Sequence, residues 1–504
     1  MHKKSIPFIA IIVIAIVIVM NDAFSPHFFG LAEGMEIGRF RCVPSLITRK
    51  TFDDNVYLTK YDREETSFTT ILPSLSIAKT GKIIDLTLSY QGDFRLYNEK
   101  YSDENRYNQT GSWNIGLKPT SKLGIDIKGR DTYSYAKRDE RRELFKSNNN
   151  LAEYNDLSSA FDITQKIGKK WRAKLTYLHD EKNYRQSKND PDLEDSKNQG
   201  GNADLEYNLY RNAFFTLGYR YASIEFNKET PDYGEQEVSG GFSWEKKSSL
   251  KLSGRWGQAW REIESTVNES RTKEYRTLAA SLDIYCIKDT VIMASYSEVP
   301  GYISPYRTEN DPFISHQLSV NIKRDLLHQK IIIDYSGSQR VDDHDLTGTK
   351  DKSWSETVHI AWRILKPALL SLTGSRTKSR YQYEPDTGDE NRDEDREDKT
   401  WSCGANLEWR ILKPVVLTIR GKYTNISYHT LYLSNVEDQN DHALREDTRY
   451  EGSCQLASTL YKNISFEMAY QYLKNNSEDK ETHESLDDNE YTDHRYSLGL
   501  GITF

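Results

Sequence analysis

One feature constrains this chain more than any other: large apolar and small or polar residues alternate, one by one, from near residue 40 to the end. The last nine residues, YSLGLGITF, show it plainly. Tyr496, Leu498, Leu500, Ile502 and Phe504 fall on one side of an extended strand, and Ser497, Gly499, Gly501 and Thr503 on the other, because successive strand side chains point to opposite faces. In IIDLTLSYQGDFRLY, Ile84, Leu86, Leu88, Tyr90, Phe94 and Leu96 oppose Asp85, Thr87, Ser89, Gln91, Asp93 and Arg95. WSCGANLEWRI and VVLTIRGKYT repeat the pattern. A helix would need apolar residues at three- and four-residue spacing, which these segments lack.

The connections between the alternating runs come in two lengths. Short ones include KTGK, PTSK, IGKK, EKKSS, CIKD and ILKP, the last used twice. Long ones are polar, such as RQSKNDPDLEDSKNQG, EPDTGDENRDEDREDK and KNNSEDKETHESLDDNE. Short and long alternate, as in antiparallel hairpins with tight turns at one rim and large loops at the other. Ten short turns and eleven long loops predict about 22 strands of roughly 10–15 residues, from near Phe40 to Phe504. The expected fold is all-β: a transmembrane, antiparallel, up-and-down β-barrel with periplasmic turns and extracellular loops. In lipid each unpaired backbone group costs several kcal/mol, so the last strand must pair with the first.

Composition agrees with a chain that greases one face of each strand and wets the other. Hydrophobic residues make up 37 % and aromatics 12 %, with 33 Tyr, a small aliphatic share for a soluble protein of 504 residues. Trp171, Tyr177, Trp256, Trp260, Trp354, Trp362, Trp401 and Trp409 are expected in interfacial girdles. At the N-terminus a basic MHKK precedes an apolar run, Ile6 to Met20, and small residues at Gly30 and Ala32. These are the parts of a secretory signal. The run is about three-quarters of the ~20 residues that a spanning helix needs. We expect residues 1–32 to be a signal peptide and 33–504 a single outer-membrane barrel of a Gram-negative bacterium. The cysteines, Cys42, Cys286, Cys403 and Cys454, lack zinc-ligand spacing, and Cys403 and Cys454 read as small apolar fillers.

No hydrolase, nucleotide-binding or metalloprotease motif is present, so no enzyme activity, cofactor or metal is expected. The acidic run 386–398 lacks the spacing of a calcium loop and reads as a solvated loop. VDDHD, 341–345, with His344, reads as a loop too. The lumen face carries more information, because charges are expensive against lipid. Inward candidates are Asp85, Asp93, Arg95, Asp126, Lys128, Arg130, Arg172, Lys174, Arg220, Lys251, Arg255, Arg363, Glu408, Arg410, Arg420, Lys422 and Glu467, with Asp204 and Glu206 also inward. Mixed signs on facing strands predict wall-supporting ion pairs, and the excess of bases points to anionic solutes. Expected partners are membrane lipid and lipopolysaccharide, the barrel-assembly machinery that reads a terminal Phe504, and polysaccharide or small anions. No nucleic acid is expected.

The segment PSLITRKTFDDNVYLTKYDREETSFTTILPSLSI, with DDNVYLT at Asp53 to Thr59, resembles the start of the beta-barrel porin 2 family of Gram-negative bacteria. That resemblance implies an outer-membrane barrel with a porin or export role, linked to exopolysaccharide and exosortase gene clusters, and implies no catalytic residues. Asp53, Asp54 and Asn55 would then cap the first hairpin by ordinary turn chemistry. The barrel pattern starts soon after the signal, which leaves no plug domain and argues against a TonB-dependent receptor. A structural or adhesive barrel acting through its long loops is the alternative, and a rim enzyme around His344 a third reading.

Overall fold

A computed structural model describes residues 35–37, 39–55, 63–98, 100, 105–137, 151–184, 195–227 (without 211), 232–263 (without 247–248), 271–301 (without 288), 313–344, 350–381, 394–432, 442–479 (without 462) and 490–503. The signal-peptide expectation and Phe504 lie outside these residues.

Twenty-two long strands, from β2 (Phe40–Asp53) to β23 (Tyr491–Thr503), form one sheet in which each strand pairs antiparallel with the next. The sheet closes: β2 pairs with β23 from Ser45↔Thr503 to Asp53↔Arg495. A short additional strand, β1 (Met35–Ile37), pairs with β2 from Met35↔Cys42 to Ile37↔Phe40. It covers the part of β2's edge that β23 does not reach, which keeps that backbone hydrogen-bonded. Among the described residues no helix is long and apolar enough to cross a membrane.

The register separates the faces around the whole circumference. Arg49 lies opposite Gly499, and Gly499 opposite Glu467. Following such pairs around the ladder returns to the same face of β2. One face is concave, because side chains from non-adjacent strands converge there. Arg255 on β12 (Leu250–Ile263) reaches within 3.8 Å of Asp204 on β9 (Ser196–Tyr210), although three strand spacings amount to about 14 Å. The opposite, outward face holds Leu175, Leu217, Trp256, Leu318, Trp362, Ile419, Leu498 and Leu500, all exposed. Exposed apolar surface wrapped around a closed sheet is what a bilayer covers.

All nine tryptophans stand on this outward face: Trp113, Trp171, Trp244, Trp256, Trp260, Trp354, Trp362, Trp401 and Trp409. Trp354 and Trp362 share a strand eight residues apart, and so do Trp401 and Trp409. Eight residues span about 26 Å along a strand, which after tilting suits the two interfaces of a hydrocarbon layer. Brominated acyl chains should therefore quench most of the tryptophan emission of the reconstituted protein. Emission insensitive to them would contradict the outward assignment.

Several strands run further than the alternation predicts. β7 (Leu151–Ile167), β9, β19 (Glu394–Leu412) and β22 (Ile464–Asp479) each include residues expected in long loops. Part of the acidic run 386–398 is thus strand. Val341–His344 is strand as well, the end of β16 (Ile331–His344). Beyond the bilayer both faces of a strand are wet, so the sequence there carries no alternation to read. Cys403 and Cys454 differ from expectation in another way: both are exposed on the outward face as free thiols, not packed fillers.

Candidate functional site: the lumen wall and the outer seam

The ladder places all seventeen charged candidates on the inward face, together with Asp204 and Glu206. Their surroundings sort them into two groups. Asp85, Asp93, Arg95, Asp126, Arg220 and Glu467 are half-buried. The other eleven are exposed, and ten of these are Lys or Arg, with Glu408 the one acid. Across the described strands Asp156 and Glu245 are the further exposed inward acids. The acids are mostly consumed by pairing. Glu467 binds Arg49 at 2.8 Å, Asp93 binds Arg95 at 3.1 Å, and Asp85 binds Lys118 at 2.9 Å. Glu206 holds Arg172, and Asp162 lies 3.6 Å from Lys174. By contrast Lys128, Lys251, Arg363, Arg410 and Lys422 make no ion pair among the described residues. They line the half of the lumen nearer the short turns.

Neutral hydroxyls line the wall between these charges. Ser45–Ser74, Ser89–Ser112, Ser253–Ser281, Ser295–Ser319, Ser338–Ser355 and Ser375–Ser402 are directly opposed inward pairs with Oγ–Oγ distances of 2.6–2.8 Å. Such pairs satisfy each other and remain open to water.

Two ion pairs span strands that are not neighbours, and each does so over a glycine. Arg49 meets Glu467 above Gly499, where a Cβ would touch both side chains at 3.6–3.8 Å. Arg255 meets Asp204 above Gly218 on β10 (Ala213–Phe226), and also donates from Nε to Ser239 Oγ at 2.9 Å. A Cβ at Gly218 would lie 2.7 Å from both the Arg255 and Asp204 atoms. Gly218→Ala should therefore push the flexible ends of the pair apart and cost under about 1 kcal/mol, the range for a partly exposed ion pair, read as a slightly lower temperature for loss of the compact band on gels. Gly111→Ala is the control, since a Cβ there meets nothing within 4 Å, and it should leave that temperature unchanged.

Toward the long-loop rim the inward face is buried. Arg261 is fully buried, 2.8 Å from Glu235, with its guanidinium between the rings of Tyr233 and Tyr275 at 5.5 and 5.1 Å. Arg220 stands 3.9 Å from both Glu235 and Glu237. Thr277 Oγ1 donates to Glu237 at 3.0 Å. A buried charge persists only when paired and hydrogen-bonded, and the alternation of acid and base across β10, β11 (Tyr233–Lys246) and β12 meets that condition.

His344 does not sit in a loop, as its polar neighbours in the chain suggest. It is buried at the end of β16, and its Nε2 lies 3.1 Å from Asp351 Oδ2. It is paired into the wall at the end of β16 rather than carried on a loop.

The Asp53–Asp54–Asn55 stretch does more than cap a hairpin. The His494 N–H donates to Asp54 Oδ1 at 2.6 Å, and the Asp54 N–H returns to the His494 carbonyl at 3.2 Å. Asn55 Nδ2 donates to the Thr492 carbonyl at 2.9 Å. Arg495 Nε lies 2.9 Å from both Asp53 Oδ2 and Asp493 Oδ2. These contacts join the first barrel strand to the last, some 440 residues apart, at the long-loop rim. The three carboxylates offer oxygens within 4.8 Å of one another, but a guanidinium and two backbone N–H groups already serve them. Sequence reasoning had no signal for this clasp, since β2 and β23 meet only when the barrel closes.

No protein-family model matches the chain, and neither does any curated protein sequence. Solved structures do match. The FrpB iron transporter from Neisseria meningitidis (F3-3 variant) superposes with a TM-score of 0.63 at 9 % identity, over 94 % of this chain and 82 % of that one. The copper transporter OprC gives 0.57 at 9 % identity, over 94 % and 81 %. The siderophore receptor PirA from Pseudomonas aeruginosa gives 0.54 at 9 % identity, over 92 % and 80 %. At such identities the likeness is one of fold: a closed 22-strand antiparallel barrel.

Proposed function

We propose that the chain is an outer-membrane channel that passes anionic solutes, acidic oligosaccharides included, and is not an enzyme. The observation that carries this reading is the partition of the inward charges. Many acids are held in wall-supporting pairs, and among the inward charges left exposed the bases outnumber the three acids Asp156, Glu245 and Glu408. A channel whose exposed charges are mainly of one sign concentrates counter-ions of the other. Solved barrels of the same fold include transporters of iron and copper, which supports a transport role. The resemblance of DDNVYLT to the porin 2 family supports the polysaccharide substrate class. The eleven long loops contain thirty-four Asp and Glu against thirteen Lys and Arg. An anion thus finds an attractive field among the bases of the short-turn half and a repulsive one outside. Purified protein in planar bilayers should carry anion-selective current. A protein that inserts but carries no current would defeat this proposal and favour the adhesive reading.

A further inference from the structure

The short turns hold a charge pattern that the lumen does not use. Between their strand ends the ten turns contain twelve Lys or Arg and a single acid, Asp289, and every turn has at least one base. The whole chain carries net charge −8, so this rim opposes the overall balance. Among the described residues Lys82, Lys169, Lys170, Lys330, Lys366 and Lys413 are exposed. Arg211, Lys247, Lys288 and Lys462 lie outside the described residues.

Where these cations stand relative to the greasy belt decides what they meet. Ile83 follows Lys82, Leu365 precedes Lys366 and Leu412 precedes Lys413, each of these apolar side chains about 60 % exposed. Trp171 follows Lys170, and Trp362 and Trp409 lie four residues before Lys366 and Lys413. Lys170 Nζ leans over the outward ring of Tyr207 at 5.6 Å and is 3.3 Å from its hydroxyl. At the same rim Lys79 Nζ sits over the outward ring of Phe40 at 5.2 Å. These two ammonium groups therefore rest on the outer aromatic surface. That is the level where a bilayer passes from acyl chains to phosphates. One or two cations per turn, repeated around the circumference, match a continuous ring of headgroups better than a single protein footprint.

We propose that the short-turn rim is a binding ring for the phosphate headgroups of anionic phospholipids, phosphatidylglycerol being the probe, in the leaflet on that side. Each exposed base near an anionic surface adds attraction that falls off within a Debye length. The chain supplies its own reporters, since all nine tryptophans face lipid. The full chain is reconstituted into vesicles of phosphatidylcholine in which either brominated phosphatidylglycerol or brominated phosphatidylcholine is the quencher. At low salt, quenching should show anionic lipid preferred about threefold to tenfold at the barrel surface. In 1 M salt, where the Debye length is about 3 Å, the preference should fall to near one. Changing Lys82, Lys169, Lys170, Lys330, Lys366 and Lys413 to Gln removes half of the twelve turn bases and should lower the preference at low salt by at least half, with heat-modifiable mobility unchanged as evidence of folding. Equal quenching by both lipids at low salt, or a preference undiminished in the Gln variant, overturns the proposal; equal quenching would favour an acidic soluble partner instead. The reading of the lumen is independent of this result, because none of the six lysines is among the five lumen bases on which it rests.

Discussion

Changing Lys128, Lys251, Arg363, Arg410 and Lys422 to Glu together should turn an anion-selective conductance into a cation-selective one. These five bases are exposed on the inward face and make no ion pair among the described residues, so replacing them breaks no wall contact. The change moves local charge by ten units within one half of the lumen. Fields inside a low-dielectric wall are focused into the water it encloses, and local counter-ion concentration rises by tenfold or more. The permeability ratio of chloride to potassium should accordingly cross one and change by about tenfold overall. The measurement is the reversal potential of single channels under a salt gradient, where its sign should invert. High salt should blunt the effect, since a Debye length of about 3 Å at 1 M no longer spans the lumen. A companion variant separates field from support. Arg172→Gln together with Glu206→Gln removes a base and the acid that holds it and should alter selectivity little, because the pair is neutral as a whole. Unchanged selectivity in the fivefold variant would mean that the bases only decorate the wall.

The second large effect is expected at the seam. Arg495→Ala should destabilise the closed barrel by about 2–4 kcal/mol, the range for removing one partner of a buried pair, lowered because Arg495 is about one-third exposed. The reason is what remains behind. Asp53 and Asp493 are 4 % and 2 % exposed, and Asp493 Oδ1 already lacks a hydrogen-bond partner. Without the guanidinium two carboxylates would face each other with no cation. Burial already pushes Asp493 up to about 7, so the repulsion that opens β2 from β23 at the long-loop rim should be largest above neutral pH and weaken as Asp493 takes up a proton below it. The readout is the temperature at which the compact band on gels converts to the unfolded one. Restoring neutrality tests the cause. Asp493→Asn combined with Arg495→Gln keeps the shapes, removes one acid and the base, and should regain most of the lost stability. A double variant no better than Arg495→Ala would point to lost packing instead of unpaired charge.

The clasp and the wall pairs show where sequence reasoning stops. Alternation reports which face a residue occupies, because strand geometry has a period of two and lipid penalises charge on one side only. That is why Lys128 and Arg410 can be assigned inward from their neighbours in the chain. It does not report partners. Nothing near Asp204 in the sequence announces Arg255, and Gly218 reads locally as a small strand residue rather than as the gap through which the two meet. His344 shows the same limit from the other direction. VDDHD is polar throughout, as a loop would be, yet it extends β16 above the membrane, where a strand has no lipid side to mark it.

By itself, then, the amino-acid sequence determined the strand period, the alternation of short and long connections and therefore the up-and-down order of the barrel. These are local consequences of residues one or two positions apart facing oil or water. The tertiary structure alone decided which charges neutralise one another, which stay open to the lumen, how far each strand rises beyond the bilayer, and how Asp53, Asp54 and Asn55 latch onto Thr492–Arg495. Closure brings together groups hundreds of residues apart, and Coulomb and hydrogen-bond energies depend on that distance in space, which no spacing along the chain encodes.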